Sequence, residues 1–308
     1  MIEAADATSA LDPLLRSVGR ELAELLARPL ASGLYLVATP IGHLGDVTLR
    51  ALAIMSRADA LYCEDTRHSR KLLDRYSIRR PLRSYHEHNA GLERPMILAE
   101  LRKGRSVALI SDAGTPLVSD PGFKLVRAAL DGGFRAFSVP GASAVLAGLT
   151  ASGLPSDSFT FAGFLPVKAG QRLERLRELA DAAGTLIFFE APGRVATALA
   201  ALGEVFGPGT PAAVARELTK LHEEMRTGSL AELSAWADAQ SMRGEAVILV
   251  APARHTPKDA TDEEITQALA GEKAGSLRDR VDAVAARLRT QRKRVYDLAL
   301  LNQEDRQR

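Results

Sequence analysis

From Gly33 to Gly153, short apolar runs of strand-forming residues alternate with segments whose apolar residues have helical spacing. The runs GLYLVAT, ALYCE, SVALI and FRAFSV are each followed by an amphipathic segment, such as FKLVRAAL after SVALI. Strands that alternate with helices pair in parallel through right-handed crossovers, and nearly continuous apolar strands indicate a sheet covered on both faces. We therefore predict an open α/β domain over residues 33–153.

The alternation stops at GLPSDSFTFAGFLPVKAGQ, which we interpret as the passage into a second α/β domain over residues 154–252. Further strands are predicted at TLIFFE, AAVARE and AVILVA, with helices around residues 170–183, 193–205 and 229–239. A chain of 308 residues that is 46% hydrophobic can form about two cores and an appendage. Two α/β domains leave a cleft between them, and this cleft is the first candidate for a site.

Residues 1–32 are predicted to be an N-terminal extension with one helix. Their acidic residues do not suit a cleaved secretory leader. No run approaches the roughly 18 apolar residues that cross a bilayer. The single cysteine, Cys63, leaves no intramolecular disulfide and fits a reducing compartment. We therefore expect a cytoplasmic protein without a membrane segment.

Residues 256–308 are predicted to be a helical, basic C-terminal module with three short amphipathic stretches. From Ser276 to the end, nine basic residues stand against five acidic ones, an excess of four positive charges, whereas the whole chain carries only +2. A polyanionic partner would therefore meet a local basic patch. A helix-turn-helix-like module and a solvated charged tail both fit this pattern.

Three loops rich in small and turn-forming residues follow strands of the first domain. They are ATPIGHLGD at 38–46, SDAGTPLVSDPG at 111–122 and SVPGASA at 138–144. Ligands of open α/β sheets bind outside the carboxyl ends of the strands, where such loops meet. Within the second loop, Gly114 permits a close backbone approach, Pro116 stiffens the turn and Asp112 offers a carboxylate. The loops are expected to hold a ligand, although Pro/Gly turns are also ordinary connections.

The loops lack the GxxxxGK[ST] and GxGxxG phosphate cradles, and they contain no Lys or Arg. These absences disfavour triphosphates and indicate a ligand without concentrated negative charge. S-adenosylmethionine (SAM) fits, because its nucleoside can be bound by backbone and hydroxyl groups and its sulfonium disfavours basic neighbours. SAM is therefore the predicted cofactor.

Nine motifs in the order of the chain resemble those of the ribosomal RNA small subunit methyltransferase I family, within the tetrapyrrole methylase-like superfamily. They are TPIGHLGDVTLRAL, CEDTRHSRKLL, YHEHN, LISDAGTPLVSDPG, VPGASA, LTASGLPSDSFTFAGFLP, FFEAPGR, ARELTKLHEE and RGEAVILV. The resemblance covers residues 33–252. It implies two α/β domains with SAM in the cleft, a homodimer, and methylation of a cytidine ribose 2′-oxygen in the decoding region of 16S rRNA.

The resemblance also implies a set of cofactor contacts. In the first domain they are Pro40, Ile110, Ser111, Asp112, Thr115, Ser143 and Ala144, and in the second they are Glu190 and Leu218. Asp112 could instead be a helix or turn cap. The chain departs from many relatives at His43, where Asn is common, and at Gly193, where His is common. No histidine role is therefore assigned at residue 193.

The expected chemistry is an in-line displacement in which a ribose hydroxyl attacks the methyl carbon. Holding the two atoms about 3–3.5 Å apart supplies much of the acceleration, and a general base helps to remove the hydroxyl proton. Strand-end acids are the candidates, and Asp65 and Glu217 are the first choices. The alternative is that these acids form ion pairs with Arg67, Arg216 or Lys220 and only shape the cleft.

Contacts to RNA are expected from basic groups at two places, because cations bind the phosphate backbone and the target nucleotide must be unstacked. They are Arg67, Lys71 and His86 near the cleft and Arg292, Lys293 and Arg294 in the C-terminal module. A solvated helix face is the alternative for the first group. His86 and His88 could share a metal on a strand, but no third ligand is evident and no metal site is predicted.

Two other functions remain open at this point. A tetrapyrrole methylase of the precorrin or uroporphyrinogen type would use the same cofactor cleft, although the basic C-terminal module favours RNA. A non-catalytic nucleic-acid-binding protein would use the α/β portion only for dimerisation, although loops on both sides of the cleft argue against it.

Overall fold

The computed structural model describes residues 3–240, 242–252, 260–272, 275–288 and 290–304. The chain divides into two compact units, one ending at Pro252 and one following it. The first unit contains two five-stranded sheets.

The first sheet is entirely parallel, as predicted. Its strands are β1 (Gly33–Val37), β2 (Ala60–Cys63), β3 (Arg83–Ser84), β4 (Ser106–Ile110) and β5 (Ala136–Val139). The strand order is β3-β2-β4-β1-β5. The helices that follow these strands are α2 (Leu49–Arg57), α3 (Thr66–Arg75), α4 (Ala90–Arg102), α5 (Phe123–Asp131) and α6 (Ala144–Ser152).

Both faces of this sheet are buried, which explains the apolar character of β4. Val107 and Leu109 pack with Leu125 of α5 in a cluster on one face. Ala108 and Ile110 pack in a separate cluster with residues of α2 and α3 on the other face. Because successive side chains of a strand point to opposite faces, every residue of SVALI must be compatible with burial.

A helix precedes the first sheet, within the segment that the sequence predicts to be an N-terminal extension with one helix. This helix, α1 (Glu3–Ala27), has Pro13 inside it. Leu22 packs against the core near α2, whereas Leu14 and Leu15 are exposed. In the part of the chain that the structure describes, no helix has both the length and the hydropathy needed to cross a membrane.

The second sheet is mixed rather than parallel. Its strands are β6 (Phe159–Phe164), β7 (Thr185–Glu190), β8 (Pro211–Arg216), β9 (Glu224–Ser229) and β10 (Ala246–Val250). The strand order is β6-β7-β10-β8-β9, and only the β6–β7 pair is parallel. The helices are α7 (Ala169–Glu178), α8 (Val195–Phe206) and α9 (Leu230–Asp238).

The two faces of the second sheet have different partners. One face packs through Phe188 and Ile248 against the cluster that contains α7, α8 and α9 residues. The other face packs through Val247 against Leu149 of α6 and Ile41 of the loop after β1. The second sheet thus shares one apolar cluster with α6 and the loops that follow the strands of the first sheet, and the division into domains 33–153 and 154–252 stays a prediction.

Two strands of the second sheet fall outside the predicted elements. The segment interpreted as a passage between domains contains β6, whose register against β7 shifts between Phe161 and Phe164. Gly163, within this shift, has φ +69°, a left-handed value that favours glycine. Strand β9 carries Glu224, Arg226 and no apolar run, because its side chains are only partly buried or exposed at the sheet edge.

The second unit is a small three-helix module. Its helices are α10 (Asp262–Gly271), α11 (Leu277–Leu288) and α12 (Arg292–Glu304). Ile265, Val281, Val284 and Val295 form its buried core. Thr261 starts α10 with a capping box in which its hydroxyl accepts from the backbone N–H of Glu264. The three predicted amphipathic stretches are therefore helices.

Helix α5 offers a direct test of the first core. Leu125 is fully buried, whereas Leu130 on the same helix is 53% exposed. We expect Leu125→Ala to lower the free energy of unfolding by about 2–5 kcal/mol, because it leaves a cavity, and Leu130→Ala to change it by less than about 1 kcal/mol. Urea unfolding followed by circular dichroism measures both, and equal losses would contradict this assignment of the core.

Candidate active site

The three loops predicted to converge do meet, because β4, β1 and β5 are neighbours in the sheet. Thr39 and Gly114 form an antiparallel bridge, with N···O distances of 2.9 and 3.0 Å. The hydroxyl of Thr115 donates to the carbonyl of Ala142 at 3.3 Å, which joins the second loop to the third. The three loops therefore form one continuous wall at the carboxyl edge of the first sheet.

Left-handed backbone conformations are concentrated in this region. In the loop after β4, Leu117 has φ +72° and Ser119 has φ +64°. In the turn after β8, Glu217 has φ +51° and Thr219 has φ +63°. Such values cost free energy for residues with a Cβ and persist where the surrounding structure fixes them, often at functional sites. Strained backbone therefore occurs in the same region as the three loops, which supports a functional site there.

A cavity of about 480 Å³ lies between the loop wall and the second sheet. It is called here the larger cavity because it exceeds the cavity of about 320 Å³ that adjoins it. Asp112, Thr115 and Ser143 line it from the first sheet, and Phe189 and Val247 line it from the second. This volume lies within the usual range for small-molecule sites, which combine apolar walls with a few polar groups. The cleft expected between the two sheets is therefore present.

Six of the nine predicted cofactor contacts line the larger cavity. They are Asp112, Thr115, Ser143, Ala144, Glu190 and Leu218. Pro40 and Ser111 instead line an adjoining cavity. Ile110 is 1% exposed within β4 and packs in the core beneath the loop.

Asp112 is fixed by groups at the start of α3. Its two carboxylate oxygens accept from the backbone N–H of Asp65 at 3.1 and 3.0 Å, and Oδ1 also accepts from the hydroxyl of Ser69 at 3.1 Å. The carboxylate therefore ties the loop after β4 to the neighbouring strand-end loop. This tie holds Asp112 at the cavity wall and also gives it the structural role considered as the alternative.

A second acidic group of the same loop, Asp120, was not among the predicted contacts. It lines the larger cavity and accepts a hydrogen bond from the hydroxyl of Ser111. Burial, opposed by that hydrogen bond, raises the pKa of Asp120, with a further contribution from the charge of Asp112. Burial is also the largest cause that raises the pKa of Glu64, and the negative charges of Asp120 and Asp112 raise this pKa further. Asp120 is the second acidic residue of SDAGTPLVSDPG, so the loop motif contained the signal that could have identified it.

Glu190 lies at the end of β7 on the opposite wall. It is 3% exposed, forms an ion pair with Arg194 and accepts from the backbone N–H of Ala191 at 2.8 Å. A buried carboxylate needs such partners to remain charged. The FFEAPGR motif therefore supplies both the acid and its counter-ion.

A smaller cavity of about 320 Å³ adjoins the larger one. Ile41, Asp112, Ala113 and Glu245 line both cavities and form the boundary between them. His68, Lys71 and Lys220 also line the smaller cavity, so basic groups surround it.

The loop after β1 closes the smaller cavity by approaching the turn after β8. A Cβ on Gly42 would lie 2.5 Å from Cγ of Lys220 and 2.9 Å from the carbonyl oxygen of Leu218. The backbone N–H of His43 donates to the hydroxyl of Thr219 at 3.0 Å. Only glycine permits this approach, which joins the first sheet to the second at the site.

The two predicted general bases line neither cavity. Asp65 is the N-cap of α3, and its carboxylate accepts from the backbone N–H and guanidinium of Arg67 at 2.8–3.1 Å. The hydrogen bond from the Arg67 side chain lowers the pKa of Asp65 to about 2, which makes it a weak base. The hydrogen bond from Lys220 at 2.9 Å likewise lowers the pKa of Glu217.

The predicted RNA-binding residues lie in two places. Lys71 lines the smaller cavity, and the side chain of Arg67 is 90% exposed beside it on α3. His86 is half-buried in the loop after β3, with its ring centroid 5.9 Å from that of His88. Across the described ranges, no group of three His, Cys, Asp or Glu side chains is arranged to hold a metal ion.

The remaining three RNA-binding candidates begin α12 in the second unit. Arg292 forms an ion pair with Asp282, and Arg294 bonds Asp262 at 2.7 Å. Lys293 between them is exposed. The basic cluster is therefore partly neutralised within its own module.

The capping carboxylate Asp65 generates a pH-dependent prediction. Its pKa is about 2 in the folded chain against an ordinary 3.8, so it stabilises the fold above about pH 4 and loses this contribution as the pH falls toward 2. Asparagine can still cap a helix. We expect Asp65→Asn to lower the urea midpoint at neutral pH and this difference to shrink below about pH 4.

Arg67→Ala supplies the control background for this measurement, because it removes the guanidinium that lowers the pKa of Asp65 most. In the Arg67→Ala background, Asp65→Asn should lower the urea midpoint at neutral pH by less than it does in the wild-type chain. A difference that stays constant from neutral to acidic pH would contradict the prediction.

Several known proteins resemble this chain in sequence. Residues 33–234 match the family Tetrapyrrole (Corrin/Porphyrin) Methylases. A Mesorhizobium japonicum protein named ribosomal RNA small subunit methyltransferase I is 58% identical over 240 residues, 78% of this chain and 82% of that protein. A Pseudomonas aeruginosa protein of the same name is 49% identical over 223 residues, 72% of this chain and 79% of that protein.

A solved structure shares the fold. The crystal structure of uroporphyrin-III C-methyl transferase from Thermus thermophilus complexed with S-adenyl homocysteine has a TM-score of 0.51 and 22% identity. It covers 71% of this chain and 97% of that one. The resemblance inferred from the nine motifs is confirmed: the chain belongs to the tetrapyrrole (corrin/porphyrin) methylase family.

Proposed function

We propose that this chain is a SAM-dependent methyltransferase that methylates the ribose 2′-oxygen of a cytidine in the decoding region of 16S rRNA, as a cytoplasmic homodimer. Membership of a methylase family and relatives named ribosomal RNA small subunit methyltransferase I support the enzyme class and the rRNA substrate. The nucleotide, the oxygen and the homodimer are the finer parts of the proposal.

The charge of the larger cavity carries the cofactor assignment. Asp112, Asp120, Glu190 and Glu245 line it, and no Lys, Arg or His is among its described lining residues. Carboxylates attract a sulfonium by Coulomb interaction, whereas they repel phosphate groups. The hydroxyls of Thr115 and Ser143 and the backbone of the loops can hold the nucleoside and amino acid parts. When bound, SAM supplies an electrophilic methyl carbon.

The smaller cavity supports a nucleic-acid substrate. His68, Lys71 and Lys220 line it, and a nucleoside bound there would lie across the shared boundary from a methyl donor in the larger cavity. Cationic groups at this position bind phosphates that flank an unstacked nucleotide. The acidic side chains of the larger cavity suit a cationic methyl donor, and the basic side chains of the smaller cavity suit an anionic acceptor.

A homodimer is supported by apolar side chains that the first unit leaves exposed. Leu92 and Met96 on α4 are 77% and 51% exposed, and Phe123 on α5 is 72% exposed. Helices α4 and α5 are in contact with each other. Exposed apolar patches of this kind commonly mark protein interfaces.

A tetrapyrrole methylase is the second candidate, because the solved structure with the same fold bears that activity in its name. Its identity of 22% carries the fold alone, whereas the rRNA methyltransferases are 49–58% identical. Incubation of the full chain with radiolabelled SAM and either 30S subunits or precorrin separates the two. Mass spectrometry of the labelled nucleotide then tests the cytidine and the 2′-oxygen.

Asp112 provides the test of the cofactor site. We expect Asp112→Ala to weaken SAM binding by about tenfold or more, because it removes a carboxylate from the wall and releases the loop from α3. Calorimetric titration measures the affinity, and Asp112→Asn separates the charge from the shape. Asp131→Ala, an exposed acid at the end of α5, is the control. Unchanged affinity in a folded Asp112→Ala variant would contradict the site.

The C-terminal module provides the test of RNA contact. It has its own buried core, so a chain ending at Pro252 retains the first unit intact. We expect this truncation to lower methylation of 30S subunits at limiting subunit concentration and to leave SAM affinity unchanged. Raising the salt concentration should narrow the difference, because phosphate contacts are screened. Equal methylation by both chains would remove the module from substrate binding.

A further inference from the structure

The boundary between the two cavities carries two ionisable side chains, Asp112 and Glu245. A methyl group passing from a donor in one cavity to an acceptor in the other must cross this boundary. Any side chain that removes the proton of the acceptor hydroxyl must therefore reach it. Asp112 and Glu245 are the two described carboxylates that meet this condition.

Asp112 is already committed to the protein. Both of its oxygens accept from the backbone N–H of Asp65, and one also accepts from Ser69. Glu245 differs, because its side chain is 78% exposed and Oε2 accepts from Nζ of Lys220 at 3.0 Å. Within the described residues, no protein donor is recorded for Oε1 of Glu245, so this oxygen can accept a substrate hydroxyl.

The position of Glu245 is fixed by the strained turn after β8. Oε1 of Glu217 accepts from the backbone N–H of Glu245 at 3.0 Å and from Nζ of Lys220 at 2.9 Å. Gly244, with φ +81°, permits this approach, since a Cβ there would lie 2.1 Å from Oε1 of Glu217. Glu217 thereby holds both the backbone of Glu245 and the ammonium that contacts its carboxylate.

We propose that Glu245 is the general base of the methyl transfer and that Lys220 and Glu217 position it. The inference rests on the proposed function. The ribose oxygen forms a bond to the methyl carbon while the bond between that carbon and sulfur breaks, and the electron pair of the broken bond stays on sulfur. The hydroxyl proton moves to the Glu245 carboxylate and then to solvent.

Other nearby groups suit this role less well. Asp65 and Glu217 line neither cavity, and hydrogen bonds lower the pKa of each. Burial, the largest single influence on Lys220, lowers its pKa, but the hydrogen bonds to Glu217 and Glu245 together raise it above the ordinary value. Lys220 therefore stays protonated at neutral pH and can orient a carboxylate but cannot accept a proton.

The expected pH dependence follows from the charge on Glu245. Only the ionised carboxylate accepts the proton, so a protonated Glu245 cannot support methyl transfer. The charged or titratable groups that share the two cavities with it are Lys220, Asp112, His68, Lys71, Asp120 and Glu190. His68 and Lys71 bind substrate in this scheme, so they act on substrate affinity rather than on the chemical step.

Glu245→Gln tests the inference, because glutamine can still accept from Lys220 but cannot take a proton. We expect kcat on 30S subunits to fall by about 10²-fold or more, a typical contribution of a general base. Calorimetric SAM affinity should fall by much less than kcat, because three other carboxylates of the larger cavity remain, and 30S affinity should stay within about threefold of the wild-type value. The acid limb of the wild-type pH–rate profile should be absent from the residual activity of the variant.

Two further variants separate catalysis from structure. Glu178→Gln removes an exposed carboxylate that likewise has one basic partner, Arg175, on α7 and away from both cavities, and it should retain full activity. Lys220→Met should lower kcat and keep the acid limb, because the base is displaced but present.

The outcomes are distinguishable. Equal kcat for Glu245→Gln and the wild type, or an acid limb that survives in Glu245→Gln, overturns this inference and leaves the proposed function standing. A wild-type chain that binds SAM but transfers no methyl group to 30S subunits overturns the proposed function, and the inference with it.

Discussion

The packing of the second sheet against the first determines the site. Val247 and Leu249 of β10 form a common apolar cluster with Leu149 of α6 and Ile41 of the loop after β1. This contact is non-directional, so it sets how closely the two sheets approach but gives no chemical specificity. Specificity comes from the loops and turns that the approach brings together. Ile41 takes part in both, since it packs in the cluster and lines both cavities.

The approach separates the charges of the two cavities. Carboxylates line the larger cavity, whereas lysines and a histidine line the smaller one, with Asp112 and Glu245 at the boundary. At such short range and behind low-dielectric walls, each cavity selects ligands of opposite charge more strongly than an open surface would. In the proposed function, a cationic methyl donor and an anionic polynucleotide bind on opposite sides of this boundary. The net charge of the chain, +2, shows nothing of this arrangement.

Local pattern predicted four of the five strands that the first sheet has among the described residues, because the central strands β1, β2 and β4 are largely buried and their loops follow them directly in sequence. The two-residue strand β3 was not predicted, since it is too short and too exposed to have an apolar run. The loop after β4, with Asp112, was predicted from its position at a strand end, whereas Thr115 was predicted from the family resemblance. Strand β9 could not be found in this way, since its pairing with β8 supplies the stability that its own side chains do not. Glu245 was missed for a related reason. Its importance depends on Lys220 and on the fold that places a distant residue beside it.

The turn from Glu217 to Lys220 shows how the fold fixes a geometry that the local sequence disfavours. Left-handed conformations at Glu217 and Thr219 cost about 1–2 kcal/mol each. The turn nevertheless persists. The hydroxyl of Thr219 accepts from the backbone N–H of His43, and the backbone N–H of Thr219 donates to the carboxylate of Glu223. Leu218 is buried in the shared cluster. A relaxed turn would carry the ammonium of Lys220 away from the boundary between the cavities. The strain is therefore the cost of holding the ammonium of Lys220 beside the boundary between the two cavities, and the hydrogen bonds and buried contacts of the turn offset it.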